Sequence, residues 1–140
     1  MNVFLKMVLS MLMVFALVAP AAAAEEKMVY HVSDIDNAMG ALYNVRNHLK
    51  ASPTAKIVVV ANGSGIGFLI DGAKDKNGNP YDIMIEELAA KKVQFRVCNN
   101  SLLGYKIDKS TVVPEATIVP SGVAEIGRLQ SQEGYGYLKP

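Results

Sequence analysis

The chain has 140 residues, which suits one domain, and its net charge of +1 at pH 7 gives no electrostatic reason to expect nucleic acid as a partner. A hydrophobic fraction of 51% and a charged fraction of 19% exclude a disordered polar chain. One Cys excludes an intramolecular disulfide and a multi-cysteine metal site within one chain. With only two His as well, a metal site would need carboxylates or a second subunit, and none is predicted.

Residues 1–24 have the order of a secretory signal peptide. Lys6 precedes an apolar run from Met7 to Ala19, and Pro20 and four alanines follow. Cleavage near Ala24 would leave a mature domain of residues 25–140, located in the periplasm or outside the cell and without a membrane segment. The alternative is an uncleaved anchor, but the run is barely long enough to span a bilayer.

Five segments of the mature chain are predicted as strands. Most are short apolar runs without polar alternation, which is typical of a parallel sheet buried on both faces. They are Lys27–Val32, Lys56–Ala61, Val93–Cys98, Ala116–Val119 and a final edge strand, Tyr135–Leu138.

Helices are predicted between these strands. Ser33 and Asp36 form a capping box before a helix that ends at Ser52-Pro53, and His48 is expected to be exposed on it. Asn79 is predicted to cap the next helix, and a last helix should follow Ser121 and end near Gln132. The alternation predicts a three-layer α/β/α sandwich around a mainly parallel sheet of about five strands.

Ligands of open parallel sheets bind beyond the carboxyl ends of the strands. Cys98 is the last residue of a strand there, and the helix that follows should favour its thiolate. The alternative is an inert buried thiol. The other candidate binding residues at this edge are His31, Asn62, Gly63, Gly65, Asn99, Asn100, Ser121 and Gly122.

Three of the candidates have two interpretations each. The glycine-rich turn after Asn62 either holds an anion beside Cys98 or is only a tight turn. His31 either assists proton transfer to Cys98, if their strands are neighbours, or lines a pocket. Arg96 lies on the same strand face as Cys98 and either lowers its pKa or pairs with another subunit.

The stretches VQFRVCNNSLLG and ATIVPSGVAEIGRLQSQEGYGYLKP resemble the DsrE/DsrF-like family of sulfur-relay proteins, in particular its small exported members. The resemblance implies a flavodoxin-like fold, oligomers such as trimers or hexamers, and sulfur bound on a Cys that corresponds to Cys98. The known relay proteins work in the cytoplasm, whereas this chain has an export signal.

Two hypotheses follow. In the first, the protein is a periplasmic sulfur carrier or sulfurtransferase-like protein that binds sulfane sulfur as a persulfide on Cys98, needs no cofactor, and exchanges sulfur with donor and acceptor proteins or small thiols. In the second, it is a non-catalytic oligomeric module that binds a small ligand, and Cys98 only lines the pocket.

Overall fold

The computed structural model describes residues 23–140. The predicted signal peptide therefore lies almost wholly outside the described residues. Within residues 23–140, no helix is both long and apolar enough to cross a membrane.

In the described part of the chain, five parallel strands form one sheet in the order β4-β3-β2-β1-β5. This confirms the predicted sheet and supplies the strand order, which the sequence did not. The strands are β1 (Lys27–Val32), β2 (Lys56–Ala61), β3 (Gln94–Cys98), β4 (Ala116–Val119) and β5 (Gly136–Leu138).

Within residues 23–140, four α-helices and three 3-10 segments connect the strands. The helices are α1 (Ala38–Ala51), α2 (Asp82–Ala90), α3 (Asn99–Gly104) and α4 (Gly122–Glu133). The 3-10 segments are Ile35–Asn37, Gly63–Leu69 and Lys109–Thr111.

The two faces of the sheet are covered unequally. On one face, α1, α2 and the Gly63–Leu69 segment bury a large cluster that includes Leu42, Phe68 and Ile85. On the other face, α4 contributes Ile126 and Leu129 to a small cluster with three valines of β1 and β2. Cys98 is therefore the last residue of a strand, β3, in a sheet that has helices packed on both faces.

Two predicted helix caps are wrong. Asp34, rather than Ser33, accepts a hydrogen bond from the Asp36 backbone N–H at 3.0 Å, because the first helical turn closes on Asp34, whose carbonyl oxygen accepts from the Asn37 N–H at 3.2 Å. Asn79 does not cap α2. Its side chain instead donates to Asp75 Oδ2 at 2.9 Å within the preceding loop, and the helix begins at Asp82.

Candidate functional site

Cys98 lies at the junction of a strand and a helix. It is the last residue of β3 and the N-cap residue of α3, with extended backbone angles. The residue is only 5% exposed, which is less than expected for an accessible thiol. Gly122 covers it closely: a Cβ atom there would lie 3.1 Å from the Cβ atoms of both Cys98 and Asn62. The start of α4 can approach β2 and β3 this closely because Gly122 has no side chain.

The surroundings of Cys98 favour the thiolate. Burial acts to raise the pKa of the thiol, but the Ser101 hydroxyl and the backbone N–H groups of Gly122, Ser101 and Asn100 lower it, and the net pKa is below the ordinary value. The Cys98 side chain makes no capping hydrogen bond to α3. The donors come from two helices that begin at the same edge of the sheet.

Ser101 is a site residue that the sequence analysis missed. Its Oγ accepts a hydrogen bond from the Gly63 backbone N–H at 2.9 Å, across 38 positions of sequence. The sequence signal was present as a hydroxyl three residues after Cys98, the spacing of an N-cap residue to the third residue of its helix.

The glycine-rich turn has a packing role and a contact with the site. Gly65 lies against β1, where a Cβ would be 2.2 Å from the Val32 carbonyl oxygen, so its role is close backbone packing. Gly63 contributes its N–H to Ser101 instead. The structure therefore separates two glycines that the sequence analysis had grouped together.

His31 reaches the site only through Asn62. Strand β2 lies between the strands of His31 and Cys98, so the two residues are not on neighbouring strands. His31 Nε2 is 2.8 Å from Asn62 Oδ1, and Nδ1 is 2.7 Å from the Tyr137 hydroxyl. Because a carboxamide oxygen only accepts, Nε2–H donates, and in the neutral ring Nδ1 accepts from Tyr137. Direct proton transfer from His31 to Cys98 is not supported by this arrangement.

Arg96 is paired within its own chain. Its guanidinium contacts the buried Glu125 carboxylate on α4, which also accepts from Arg128 Nη2 at 2.8 Å. The hydrogen bond from Arg128 lowers the pKa of Glu125, burial opposes this, and the charges of Arg96 and Arg128 add to the lowering. Arg96 is not among the groups that shift the pKa of Cys98. Its role is to join β3 to α4 below the site.

The remaining candidates lie around the same edge. Ser121 is the N-cap residue of α4 and accepts from the Ala124 N–H at 3.4 Å. The backbone N–H of Asn100 is one of the groups that lower the pKa of Cys98. The Oδ1 atom of Asn99 is buried and has no hydrogen-bond partner among the described residues.

A second histidine cluster lies away from Cys98. His48 was predicted to be exposed, but its side chain is only 15% exposed. Its Nδ1 is 2.8 Å from the Tyr30 hydroxyl, and its Nε2 is 2.6 Å from Glu26 Oε1. The cluster joins α1 to β1 and to the residue that precedes β1.

The model of the DsrE/DsrF-like family matches residues 11–140. No curated protein matches the chain. Among solved structures, the chain is similar to a protein of unknown function, MTH1491, from Methanobacterium thermoautotrophicum, with a TM-score of 0.72, 28% identity, and coverage of 83% of this chain and 100% of that one. It has the fold of the ychN protein from E. coli, with a TM-score of 0.67, 12% identity, and coverage of 83% and 99%. With nearly its whole length matched, the chain belongs to the DsrE/DsrF-like family.

Proposed function

We propose that the protein is a sulfurtransferase-like carrier that holds sulfane sulfur as a persulfide on Cys98. The observation that carries this proposal is the position of Cys98 at the end of β3 and the start of α3, with the beginning of α4 close against it, where helix N–H groups lower the pKa of the thiol. A thiolate is the nucleophilic form of cysteine, and a lower pKa increases its fraction near neutral pH. Membership of a family of sulfur-relay proteins is consistent with this chemistry.

The loading step needs no cofactor. The Cys98 thiolate attacks the outer sulfane sulfur of a persulfide or polysulfide, and a new S–S bond forms. The S–S bond of the donor breaks, and its remaining sulfur leaves as a thiolate or sulfide, so no external oxidant is consumed. Because Cys98 is the only Cys of the chain, no second thiol can resolve the persulfide into an intramolecular disulfide. The sulfur would remain until an acceptor protein or a small thiol removed it.

One observation favours the second candidate, a non-catalytic module that binds a small ligand. Cys98 is only 5% exposed, which suits a buried thiol better than one that must meet a sulfur donor. In that case the thiol would contribute packing, and the donors around it would serve a ligand.

Intact-mass spectrometry separates the two candidates. We expect the purified protein, after treatment with inorganic polysulfide, to gain the mass of one sulfur atom, and a reducing thiol to remove it. Cys98→Ser is the matched control and should gain nothing. If the wild-type protein gains no sulfur while its fold is intact, only the binding module remains.

We also propose that the carrier is exported. The support is the order of charge, apolar run and alanines in residues 1–24. Sequencing of the protein from a periplasmic or secreted fraction should give a mature N-terminus at or near Glu25. Retention of Met1 in a membrane fraction would contradict export.

A homo-oligomer, a trimer or a multiple of it, is the proposed assembly. Large apolar side chains remain exposed on the single chain. Leu103, near the end of α3, and Val123, near the beginning of α4, are each 64% exposed. Light scattering at micromolar concentration should give a mass above that of one chain, and a strict monomer would contradict the proposal.

A further inference from the structure

Asn62 is followed by a glycine, and such a pair of residues is chemically labile. The backbone nitrogen of the glycine can attack the side-chain carbonyl carbon of the asparagine, because glycine has no side chain to block the approach. A C–N bond forms, ammonia leaves, and water opens the resulting succinimide ring to aspartate or isoaspartate. The chain contains two such pairs, Asn62-Gly63 and Asn77-Gly78.

The two pairs have different surroundings. Asn77 and Gly78 are exposed in the loop before α2, and the Gly78 N–H donates to the Asp75 carbonyl oxygen at 2.9 Å in a turn that is open to water. The Asn77 carboxamide makes no hydrogen bond within residues 23–140. Asn62, in contrast, directly follows β2 and is packed between its neighbours, since a Cβ on Gly122 would lie 3.1 Å from the Cβ atoms of both Asn62 and Cys98.

The nitrogen of Gly63 is held by the fold. Its N–H donates to the Ser101 Oγ at 2.9 Å, whereas attack on the Asn62 side chain requires this nitrogen to lose its proton. The hydrogen bond stabilises the protonated nitrogen and therefore opposes the reaction. Gly63 also has a φ of +54°, and a Cβ there would lie 2.9 Å from the Ser33 carbonyl oxygen, so the turn is packed against Ser33 and cannot rotate freely.

The conformation of Asn62 also opposes ring closure. Its ψ of 179° staggers the Gly63 nitrogen and the Asn62 Cβ about the Cα–C bond, but a five-membered ring needs them nearly eclipsed. Its Oδ1 accepts from His31 Nε2 at 2.8 Å, which holds the carboxamide towards β1. Rotation about the Cα–C bond would pull the Gly63 N–H away from Ser101, so the ring closes only after the turn opens locally.

We propose that Asn62-Gly63 is a latent deamidation site, which the fold protects chiefly through the hydrogen bond from the Gly63 N–H to Ser101 Oγ. Loss of this protection would replace the neutral amide next to Cys98 by a carboxylate, and isoaspartate would add a CH₂ group to the backbone of the turn. A negative charge near Cys98 disfavours its thiolate. The proposal goes beyond the proposed function, because the protection does not depend on what Cys98 binds.

The test follows the two asparagines in the same sample. The folded protein is incubated at mildly alkaline pH and digested with trypsin, which places Asn62 in the peptide of residues 57–74 and Asn77 in that of residues 77–91. Asn79 does not interfere, because it precedes Pro80, whose nitrogen carries no proton. Mass spectrometry should show Asn77 deamidating at least about tenfold faster than Asn62, since Asn62 reacts only when the turn opens. In concentrated urea the two rates should become similar.

Variants of Ser101 identify the protecting group. In Ser101→Ala, we expect the rate at Asn62 to rise by about three- to tenfold, the effect of one lost hydrogen bond, while the rate at Asn77 stays the same. Ser101→Thr keeps the hydroxyl and should restore most of the protection. Ser131→Ala, which changes an exposed serine of α4, is the matched control and should leave both rates unchanged.

The outcomes separate this proposal from the carrier function. If Asn62 reacts as fast as Asn77 in the folded wild-type protein, or stays slow in urea, the fold does not protect it and the proposal is wrong. If Ser101→Ala keeps the wild-type rate at Asn62, the Ser101 hydrogen bond is not the protecting contact, which also overturns the proposal. Neither measurement uses polysulfide, so the carrier function can fail while the protection of Asn62 stands, and the reverse.

Discussion

The two histidines of the described chain make the same pair of hydrogen bonds, but the side chain that accepts from Nε2 differs. In each, Nδ1 meets a tyrosine hydroxyl, Tyr137 for His31 and Tyr30 for His48. In each, Nε2 donates to a side-chain oxygen, which belongs to the neutral amide of Asn62 in one case and to the carboxylate of Glu26 in the other.

The two accepting side chains, Asn62 and Glu26, have different surroundings. Asn62 flanks Gly122 together with Cys98, whereas Glu26 lies just before β1, next to the ion pair of Glu25 with Lys56. A carboxylate beside Cys98 would oppose the thiolate by repulsion, and an amide does not. The two clusters therefore share a hydrogen-bond pattern but differ in the charge of the group that accepts from the histidine. The neutral acceptor is the one that lies near Cys98.

The largest change in stability is expected from a glycine-to-alanine substitution near His31, with a matched substitution in the helix of His48. Gly65→Ala, near the end of β1, would place a Cβ 2.2 Å from the Val32 carbonyl oxygen, and neither backbone can move freely. We expect the free energy of unfolding to fall by about 3 kcal/mol. Gly40→Ala, in the helix of His48, meets no atom within 4 Å and should stabilise by about 0.5–1 kcal/mol. Urea unfolding checks both, and equal effects would contradict the assignment.

Asn62→Asp removes the difference in charge between the two clusters. A carboxylate near Cys98 raises the pKa of its thiol because it disfavours a second negative charge. Alkylation of Cys98 near neutral pH should slow by about tenfold, the equivalent of one pKa unit. Glu26→Gln is the control and should leave the alkylation rate unchanged. An Asn62→Asp protein that reacts as fast as the wild type would show that the amide's neutrality is unimportant.

The two tyrosines should differ in their contribution to stability. Tyr30 is 4% exposed, and Tyr30→Phe leaves the Nδ1 atom of His48 without its donor, which costs about 1 kcal/mol. Tyr137 is 41% exposed, so water can replace its hydroxyl, and Tyr137→Phe should change the free energy of unfolding by less than about 0.5 kcal/mol. Chemical denaturation at neutral pH measures both, and the reverse order would be inconsistent with the burial of the two hydroxyls.

The smallest expected effect is a pH dependence of the free energy of unfolding that comes from Glu26 and has no counterpart at Asn62. Hydrogen bonds from Ser52 and His48 lower the pKa of Glu26, against a small opposing effect of burial. A lowered pKa in the folded state gives stability that is present above the unfolded value, about 4.3, and is lost as the pH falls through the folded value. The difference in unfolding free energy between wild type and Glu26→Gln should therefore shrink below about pH 4.

Asn62→Ala provides the comparison for that measurement. Because the Asn62 amide does not titrate, the difference between wild type and Asn62→Ala should stay constant over the same acid range. If it falls in parallel with that of Glu26→Gln, the acid sensitivity does not come from the carboxylate.

Local patterns in the sequence were sufficient for the strands and for the position of Cys98. The predicted bounds Lys27–Val32, Lys56–Ala61 and Ala116–Val119 are confirmed, since short, mostly apolar runs without polar alternation are typical of buried parallel strands. The helix starts were less predictable. Ser33 and Asp34 are both good cap residues by propensity, and the cap falls on Asp34 because the first turn closes on its carbonyl oxygen.

What the sequence determined, then, is a parallel α/β domain with its one Cys at the carboxyl end of a strand, because periodicity and turn residues are local properties. Only the tertiary structure decided the strand order, which separates His31 from Cys98 by β2, and the contact of Gly63 with Ser101. It also decided that His48 is held by Tyr30 and Glu26 instead of facing solvent. These contacts join residues distant in sequence, and they exist only once the strands, the glycine-rich turn and the helices have packed together.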